Sequence, residues 1–536
     1  MSRKILSLLF SFFIFIPFLF SQKDQIYFNN DFDGELDKQI YSVFSSIHNS
    51  IKPFSLPEIS QVFNYDSLLK SKRINKTYKS KFKQKLWNKI FNEHLFILNK
   101  KAFQLIIDPL MNFEFGSDLN SSNSTYVNTR GVQVLGAIGN KFSFYTNFHE
   151  NQATFIEYID NFISQTRVVP GQGLKRNFKT DGYDYAMASG YISYTPSKYF
   201  NFQFGHGKNF FGDGYRSLLL SDNSFNYPYL KITTSVWHFK YVNLYAQFQD
   251  IGLPHSYELG FQKKYGTFHY LSWKATKRLN ISFFEAIIWE AADSTGTRGF
   301  DINYLNPVIF FRPVEFSIGS PDNALMGLNV SYKIAKTNVL YGQLLLDEFK
   351  FSEVTGGNGW WGNKQAFQLG FKSFDVFKIT NLFFQTEYNF VRPYTYSHRA
   401  VIQNYGHYNQ PLAHPYGANF WESVSFIKYN FGRFYFQYKF LYSIIGEDED
   451  GKNYGKDIYK SYNSAENEYN NFVGQGLKTT LVYNDFRASY LINPSYNLNF
   501  TIGLTDRTLS NSAENSHSTY IYFALRTSID NFYYDF

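Results

Sequence analysis

The chain has 536 residues, a formal charge of +8 and no cysteine, which leaves no disulfide framework and no thiolate metal site. Aromatic residues make up 21%, with 60 Phe and 44 Tyr, yet mean hydropathy is −0.33. The rings are interleaved with Asn, Gln, Ser and Lys, which argues against an ordinary soluble core, and the modest basic excess of an exported chain reads as solubility, with no nucleic-acid partner.

The N-terminus opens on a basic Ser2-Arg3-Lys4, then an apolar Ile5 to Phe20, then Leu19-Phe20-Ser21 before Gln22. The apolar run is shorter than the roughly 20 residues a membrane helix needs, so 1–21 reads as a secretory signal peptide. Residues 22–102 lack any two-residue period and are broken early by Pro53 and Pro57. From Asn75 the spacing turns helical: Phe82, Leu86 and Ile90 follow a four-residue step, beside Trp87, Phe91, Leu95 and Leu98. The other positions carry Lys76, Lys79, Lys81, Lys83, Lys85 and Lys89. A small helical periplasmic region with a solvated lysine face is the expectation, against a basic helix that touches anionic lipid headgroups.

From 103 to 536 the pattern alternates. Tyr496, Leu498, Phe500, Ile502 and Leu504 interleave with Asn497, Asn499, Thr501, Gly503 and Thr505. Phe434, Phe436, Tyr438, Phe440, Tyr442 and Ile444 oppose Gln437, Lys439 and Ser443. A strand sends successive side chains to opposite faces. One apolar and one polar face, repeated, predicts an all-β transmembrane barrel of about 18 antiparallel strands in the cell outer membrane, with lipid outside and water inside. The strands are expected near 103–115, 126–138, 141–151, 183–194, 199–208, 229–238, 241–250, 265–275, 279–290, 325–335, 338–349, 364–374, 379–390, 421–431, 433–445, 476–489, 495–505 and 519–529. Short connections such as Gly139-Asn140, Ala335–Thr337 and Gly432 alternate with long ones such as 152–182, 209–228, 291–324, 391–420 and 446–475. Short turns belong to the periplasm and long loops to the outside. The chain ends Asn531-Phe532-Tyr533-Tyr534-Asp535-Phe536. A terminal aromatic is the usual signal for the barrel-assembly machinery, an expected partner alongside outer-membrane lipid. These last residues are expected as an ordered tail at the periplasmic rim.

Catalytic constellations are weak. Neither GxSxG nor HExxH occurs, and no convergent acid/base set stands out, so the expectation is a non-enzymatic protein without cofactor or metal. His398, His407 and His414 share one loop, but their spacing matches no standard zinc site, and imidazoles paired with backbone or aromatics are favoured. The run Glu447 to Asp457 is read as a solvated acidic loop in preference to a calcium site. Gly205 to Arg216 is glycine-rich without a phosphate-loop ending; it is expected to fold inward, with Asp213 and Arg216 pairing or holding a ligand. Arg312 and Glu315 form a similar candidate pair. Trp360 and Trp361 are candidates to stack on sugar rings, or to pack the loop.

Asn128-Thr129-Arg130-Gly131, Gly205–Asp222 with its Arg216-Ser217-Leu218-Leu219-Leu220-Ser221-Asp222 ending, and Asn306-Pro307 to Asn323 resemble the Wzi-type capsule-assembly barrel family. Leu412-Ala413-His414-Pro415 and Gly417-Ala418-Asn419-Phe420 resemble its Bacteroidota branch, which includes the gliding-motility protein RemB. The likeness spans nearly the whole chain after the signal. It implies an eighteen-stranded barrel, a helical periplasmic part and a lectin-like hold on surface polysaccharide, without catalysis; the gliding branch implies support of surface motility or adhesion. The other reading is a porin-like passive channel or oligosaccharide transporter, since a barrel of this size can enclose an aqueous lumen.

Overall fold

The computed structural model describes residue 25 and residues 34–536, apart from 122, 255–259, 294–295, 308–318, 320–321, 349 and 528–529. The expected signal peptide lies outside the described residues. Eighteen antiparallel strands close a barrel. They are β1 (Phe103–Asp118), β2 (Ser124–Ile138), β3 (Phe142–Thr154), β4 (Gly182–Ser197), β5 (Phe200–Gly207), β6 (Tyr227–Val236), β7 (Phe239–Asp250), β8 (Gln262–Lys274), β9 (Leu279–Glu290), β10 (Asn323–Lys333), β11 (Asn338–Leu346), β12 (Gln365–Phe374), β13 (Leu382–Val391), β14 (Phe420–Phe431), β15 (Phe434–Glu447), β16 (Leu477–Asn493), β17 (Leu498–Ser510) and β18 (Asn515–Arg526). Each pairs with the next, and β18 closes on β1 from Tyr520 opposite Asp118 to Arg526 opposite Asn112.

The alternation sorts the two faces. Phe434, Phe436, Phe486, Ile502 and Phe523 are exposed on the wall, whereas Lys439, Ser443, Asp485, Asn499 and Thr501 are buried toward the lumen. Inward glycines let tyrosine rings lie flat on the wall: a Cβ at Gly370 would sit 2.1 Å from the Tyr341 ring, and one at Gly503 2.2 Å from that of Tyr522. The connections 116–125 and 506–518, expected to be long, are tight, because β1, β2, β17 and β18 run further than their patterns indicated; only 119–123 and 511–514 separate those pairs.

The lumen is filled from both ends. From the short-turn side, α1 (Gly34–Ile40), α2 (Leu56–Val62) and α3 (Tyr65–Ser71) precede the wall. Leu36, Ile40, Tyr41, Ile47, Phe54 and Ile59 pack there on the wall residues Val339, Phe374 and Phe383. Wall polar groups tie this segment down: the Lys240 ammonium lies 2.6 Å from a Glu58 oxygen, and Lys274 donates to the Ser45 carbonyl at 2.8 Å. From the other side, residues 208–226 dive inward until Phe210 and Phe211 pair with Lys52 and Ile51 of the N-terminal segment. Leu218, Leu219 and Leu220 are fully buried in that fold. Residues 392–419 close over them, with the hydroxyls of Tyr396 and Tyr405 donating to the carbonyls of Leu218 and Leu219 at 2.7 and 2.6 Å.

The C-terminal tail corrects the expectation of a rim position. The wall ends at Arg526, and the last residues turn into the lumen, where Asp535 is fully buried. In the sequence Phe532, Tyr534 and Phe536 fall on the opposite parity from Ile521 and Phe523, and this break has the same cause: these rings leave the lipid face and pack inside, Phe536 lying 4.8 Å from Phe162 on α5 (Glu157–Thr166).

Orientation is testable because the chain has no cysteine background. Asp450 and Lys336 are exposed on opposite ends of the barrel, whereas Asn453, in the same outer loop, is buried and unsuitable as a probe. An impermeant thiol reagent on intact cells is expected to label Asp450→Cys and spare Lys336→Cys. The reverse pattern overturns the topology.

Candidate functional site

Two clusters contain the described candidate residues, one deep and one on the outer cap. Asp213 and Arg216 both sit on the inserted loop, fully buried, but they do not pair with each other. Asp213 accepts from the Tyr41 hydroxyl at 3.0 Å and from Asn329 Nδ2 at 2.9 Å, joining the loop to the N-terminal segment and the wall. Arg216 places Nη2 3.0 Å from Glu422 Oε1 and 3.1 Å from Asp535 Oδ1, and its guanidinium stacks on Tyr215 and Tyr533. Glu387 fixes the same turn by accepting from the backbone N–H groups of Tyr215 and Arg216 at 2.8 and 3.1 Å. Lys439 lies 2.8 Å from Asp535 Oδ2. Burial alone would raise the Asp535 carboxyl, but Arg216 and Lys439 overcome it and hold the group well below the usual carboxylate range. Apart from Arg216 Nη1, which is buried without a hydrogen-bond partner among the described residues, the guanidinium and the Lys439 ammonium face acceptors within the chain. The network's chemistry is that of a latch between loop, wall and C-terminus.

The residues sequence reasoning missed here are Glu387, Glu422, Lys439 and Asp535. Beside the latch, Glu114, Asp485, Arg487, Arg526, Tyr483 and Tyr520 line a lumenal cavity of about 200 Å³.

Trp360 and Trp361 are half-buried on the outer cap, with ring centroids 5.7 Å apart. Trp361 also lies 4.8 Å from Tyr462 and 6.4 Å from Tyr394, from two other long loops. Lys364 stands over the Tyr462 ring at 4.7 Å, and His398 meets that ring edge-on. The backbone holds the platform: Trp361 N–H donates to the Glu468 carbonyl at 3.0 Å, and Asn471 N–H to that of Gly359 at 2.9 Å. Gly359 has φ +68, and a Cβ there would meet the Asn471 nitrogen at 2.8 Å, so only glycine lets the loops close. Arg392 Nε donates to the Asn363 carbonyl at 2.8 Å behind the platform. Tyr394 and Tyr462 escaped the sequence reading because they come from distant loops, and Lys364 because it falls at the start of the strand expected at 364–374. Arg312 and Glu315 lie outside the described residues.

The three histidines of the 392–419 loop have three different surroundings. His398 lies by Tyr462, His407 Nδ1 accepts from Gln249 N–H at 3.0 Å, and His414 Nε2 lies 2.9 Å from Glu422 Oε2. In the acidic loop, Lys456 pairs with Glu447, Lys460 with Asp448 at 3.0 Å and Lys452 with Glu449 at 2.7 Å. Among the described residues no cluster of three or more metal-ligating side chains occurs.

Burial and the nearby Lys364 lower His398 to about 4, and burial lowers His407 to about 3. An unfolded histidine titrates near 6.5. The unfolded state therefore takes up protons first, and the cap's stability is fully present above about pH 6.5 and falls as pH drops toward the folded values. Hydrogen exchange in residues 392–419 is expected to speed up between pH 7 and pH 5, after correction for intrinsic rates. Equal protection at both pH values would contradict the neutral assignment.

No family model and no curated protein matches this chain. Solved structures do. One is described as Wzi, an outer membrane protein involved in group 1 capsule assembly in Escherichia coli and a carbohydrate-binding β-barrel; it is 12% identical, with a TM-score of 0.56 over 94% of this chain and 100% of that one. OprD of Pseudomonas aeruginosa is 11% identical, with a TM-score of 0.43 over 83% of this chain and 98% of that one. With eighteen strands, an apolar outer belt and a filled lumen, the chain is an outer-membrane β-barrel with a Wzi-like fold.

Proposed function

We propose that this barrel holds surface polysaccharide at the cell through its outer cap, without catalysis and without a cofactor. The carrying observation is the Trp360–Trp361–Tyr462 platform, assembled from two long loops on the outer side of a filled lumen. Half-buried rings present apolar faces to the C–H faces of a sugar, and the exposed side-chain amides of Asn358 and Asn470 beside them offer polar contacts to hydroxyls. The carbohydrate-binding description of the Wzi structure agrees with this role. Within it, retention of capsule and support of surface spreading or gliding are the two cellular outputs. The inserted segments favour binding over the porin-like alternative, because they occupy the space a pore would need.

The test uses the purified barrel and polysaccharide extracted from the surface of the parent strain. Trp361→Ala is expected to weaken binding by on the order of tenfold, about 1.4 kcal/mol, read by quenching of intrinsic tryptophan emission. A barrel in planar bilayers is expected to be nearly silent, and deletion of the gene to loosen cell-bound glycan or impair spreading. Undiminished binding by Trp361→Ala together with steady large currents would move the assignment to the channel.

A further inference from the structure

We propose that α4 (Lys81–Phe91) is a membrane-interface helix that lies on the periplasmic leaflet of the outer membrane and takes anionic phospholipid as its partner. The helix turns its apolar side chains the wrong way for a soluble subdomain. Phe82, Leu86 and Ile90 lie on one face and are 75%, 49% and 41% exposed. Another face is already occupied: Tyr78, from the segment before the helix, packs on Trp87 with ring centroids 5.6 Å apart, and Trp87 Nε1 donates to the Ile74 carbonyl at 3.4 Å. The outward stripe therefore has no protein to cover it among the described residues. Exposed Lys83 and Lys85 lie to either side of it, with half-buried Lys89 also bordering the stripe. An apolar stripe between ammonium groups matches the boundary between acyl chains and phosphates.

The location selects lipid as the occupant. Asn493 Nδ2, at the end of β16, donates to the carbonyls of Lys89, Ile90 and Glu93 at 3.1, 3.1 and 3.0 Å. Arg433, in the short turn between β14 and β15, donates from Nη2 to the Phe91 carbonyl at 3.1 Å. The helix is thus clamped to two periplasmic turns. Those turns border Phe431, Phe434 and Phe500, which are exposed at the lower edge of the lipid-facing belt. The chain after the helix continues that belt. Phe96, 45% exposed, pairs with Ile107 on the free edge of β1 below the point where β18 leaves the wall. A stripe continuous with an established lipid face, edged by positive charge, meets the same bilayer.

The test uses the full barrel in nanodiscs of phosphatidylethanolamine and phosphatidylglycerol. Leu86→Cys carries an environment-sensitive fluorophore, and Phe436→Cys and Lys70→Cys serve as lipid and aqueous controls. Lipids spin-labelled high on the acyl chain are expected to quench the Leu86 and Phe436 labels at least twofold more than the Lys70 label. Iodide in the buffer is expected to quench only Lys70→Cys. Replacing phosphatidylglycerol by phosphatidylcholine should raise iodide access at position 86 and leave position 436 unchanged. If iodide reaches the Leu86 label as freely as the Lys70 label in both lipids, as a face kept for a periplasmic protein would allow, the proposal fails. Phe82→Cys repeats the measurement one turn away, so poor folding of one variant does not decide the outcome.

Discussion

Arg216→Met is expected to destabilise the lumenal fold by about 3–5 kcal/mol and to free the C-terminal tail, because it strands buried carboxylates that the guanidinium now neutralises. Arg216 is 1% exposed and bridges Glu422 on β14 to Asp535 near the end of the chain. Without it, Glu422 keeps His414, whose own protonation is opposed by burial, and Asp535 keeps Lys439. Loop 208–226 carries the guanidinium, the tail pairs with it directly and loop 392–419 meets it through His414 on Glu422, so its loss loosens all three. The wall has its own ladder of backbone hydrogen bonds and should persist. The expected result is normal heat-modifiable mobility of the barrel with new protease sensitivity at 527–536 and a measurable conductance. Protease resistance equal to the parent would refute the latch. Lys439 has a smaller share: a mild Lys439→Gln would suit an open lumen, but Lys439 is buried against Asp535, so that change is expected to weaken the tail as well.

The wall was legible in the sequence because lipid and lumen impose opposite chemistry on neighbouring residues, as along Phe434 to Ile444 and Tyr496 to Thr505. The contents of the lumen were much less so. Arg216 meets residues more than 200 and more than 300 positions away, and such pairings leave no local period. Proximity suggested Asp213 as its partner, whereas the fold gives each residue a different one. Two local signals did exist. Leu218-Leu219-Leu220 is an apolar run inside a glycine-rich loop, which only burial explains. The parity break before Phe536 marks where the chain leaves the wall. At the cap, the tryptophan pair was visible as a motif, but Tyr394 and Tyr462 reach it only through loop packing. The stripe Phe82, Leu86, Ile90 was visible too; its outward direction was not, since a helix period says which residues share a face and not what the face meets.

Phe486→Arg is expected to impair barrel assembly by roughly 2–4 kcal/mol, and Phe436→Arg by clearly less. Both rings are on the lipid face, 49% and 45% exposed. They differ in depth. Each residue climbs about 2.5 Å toward the outer side, from a rise of roughly 3.3 Å on a strand tilted by about 40°. Phe436 is two residues beyond the girdle ring Phe434, itself paired with Tyr490 at the periplasmic edge. Phe486 lies four residues above Tyr490, between Tyr438 and Leu504, at about 10 Å from that edge. An arginine at Phe436 can reach the headgroups with its side chain, whereas at Phe486 it must stay among acyl chains or thin the bilayer. Folded fraction on unheated gels, read across a denaturant series in one lipid, checks the order. Equal losses at the two positions would mean that the membrane midplane lies elsewhere on this wall.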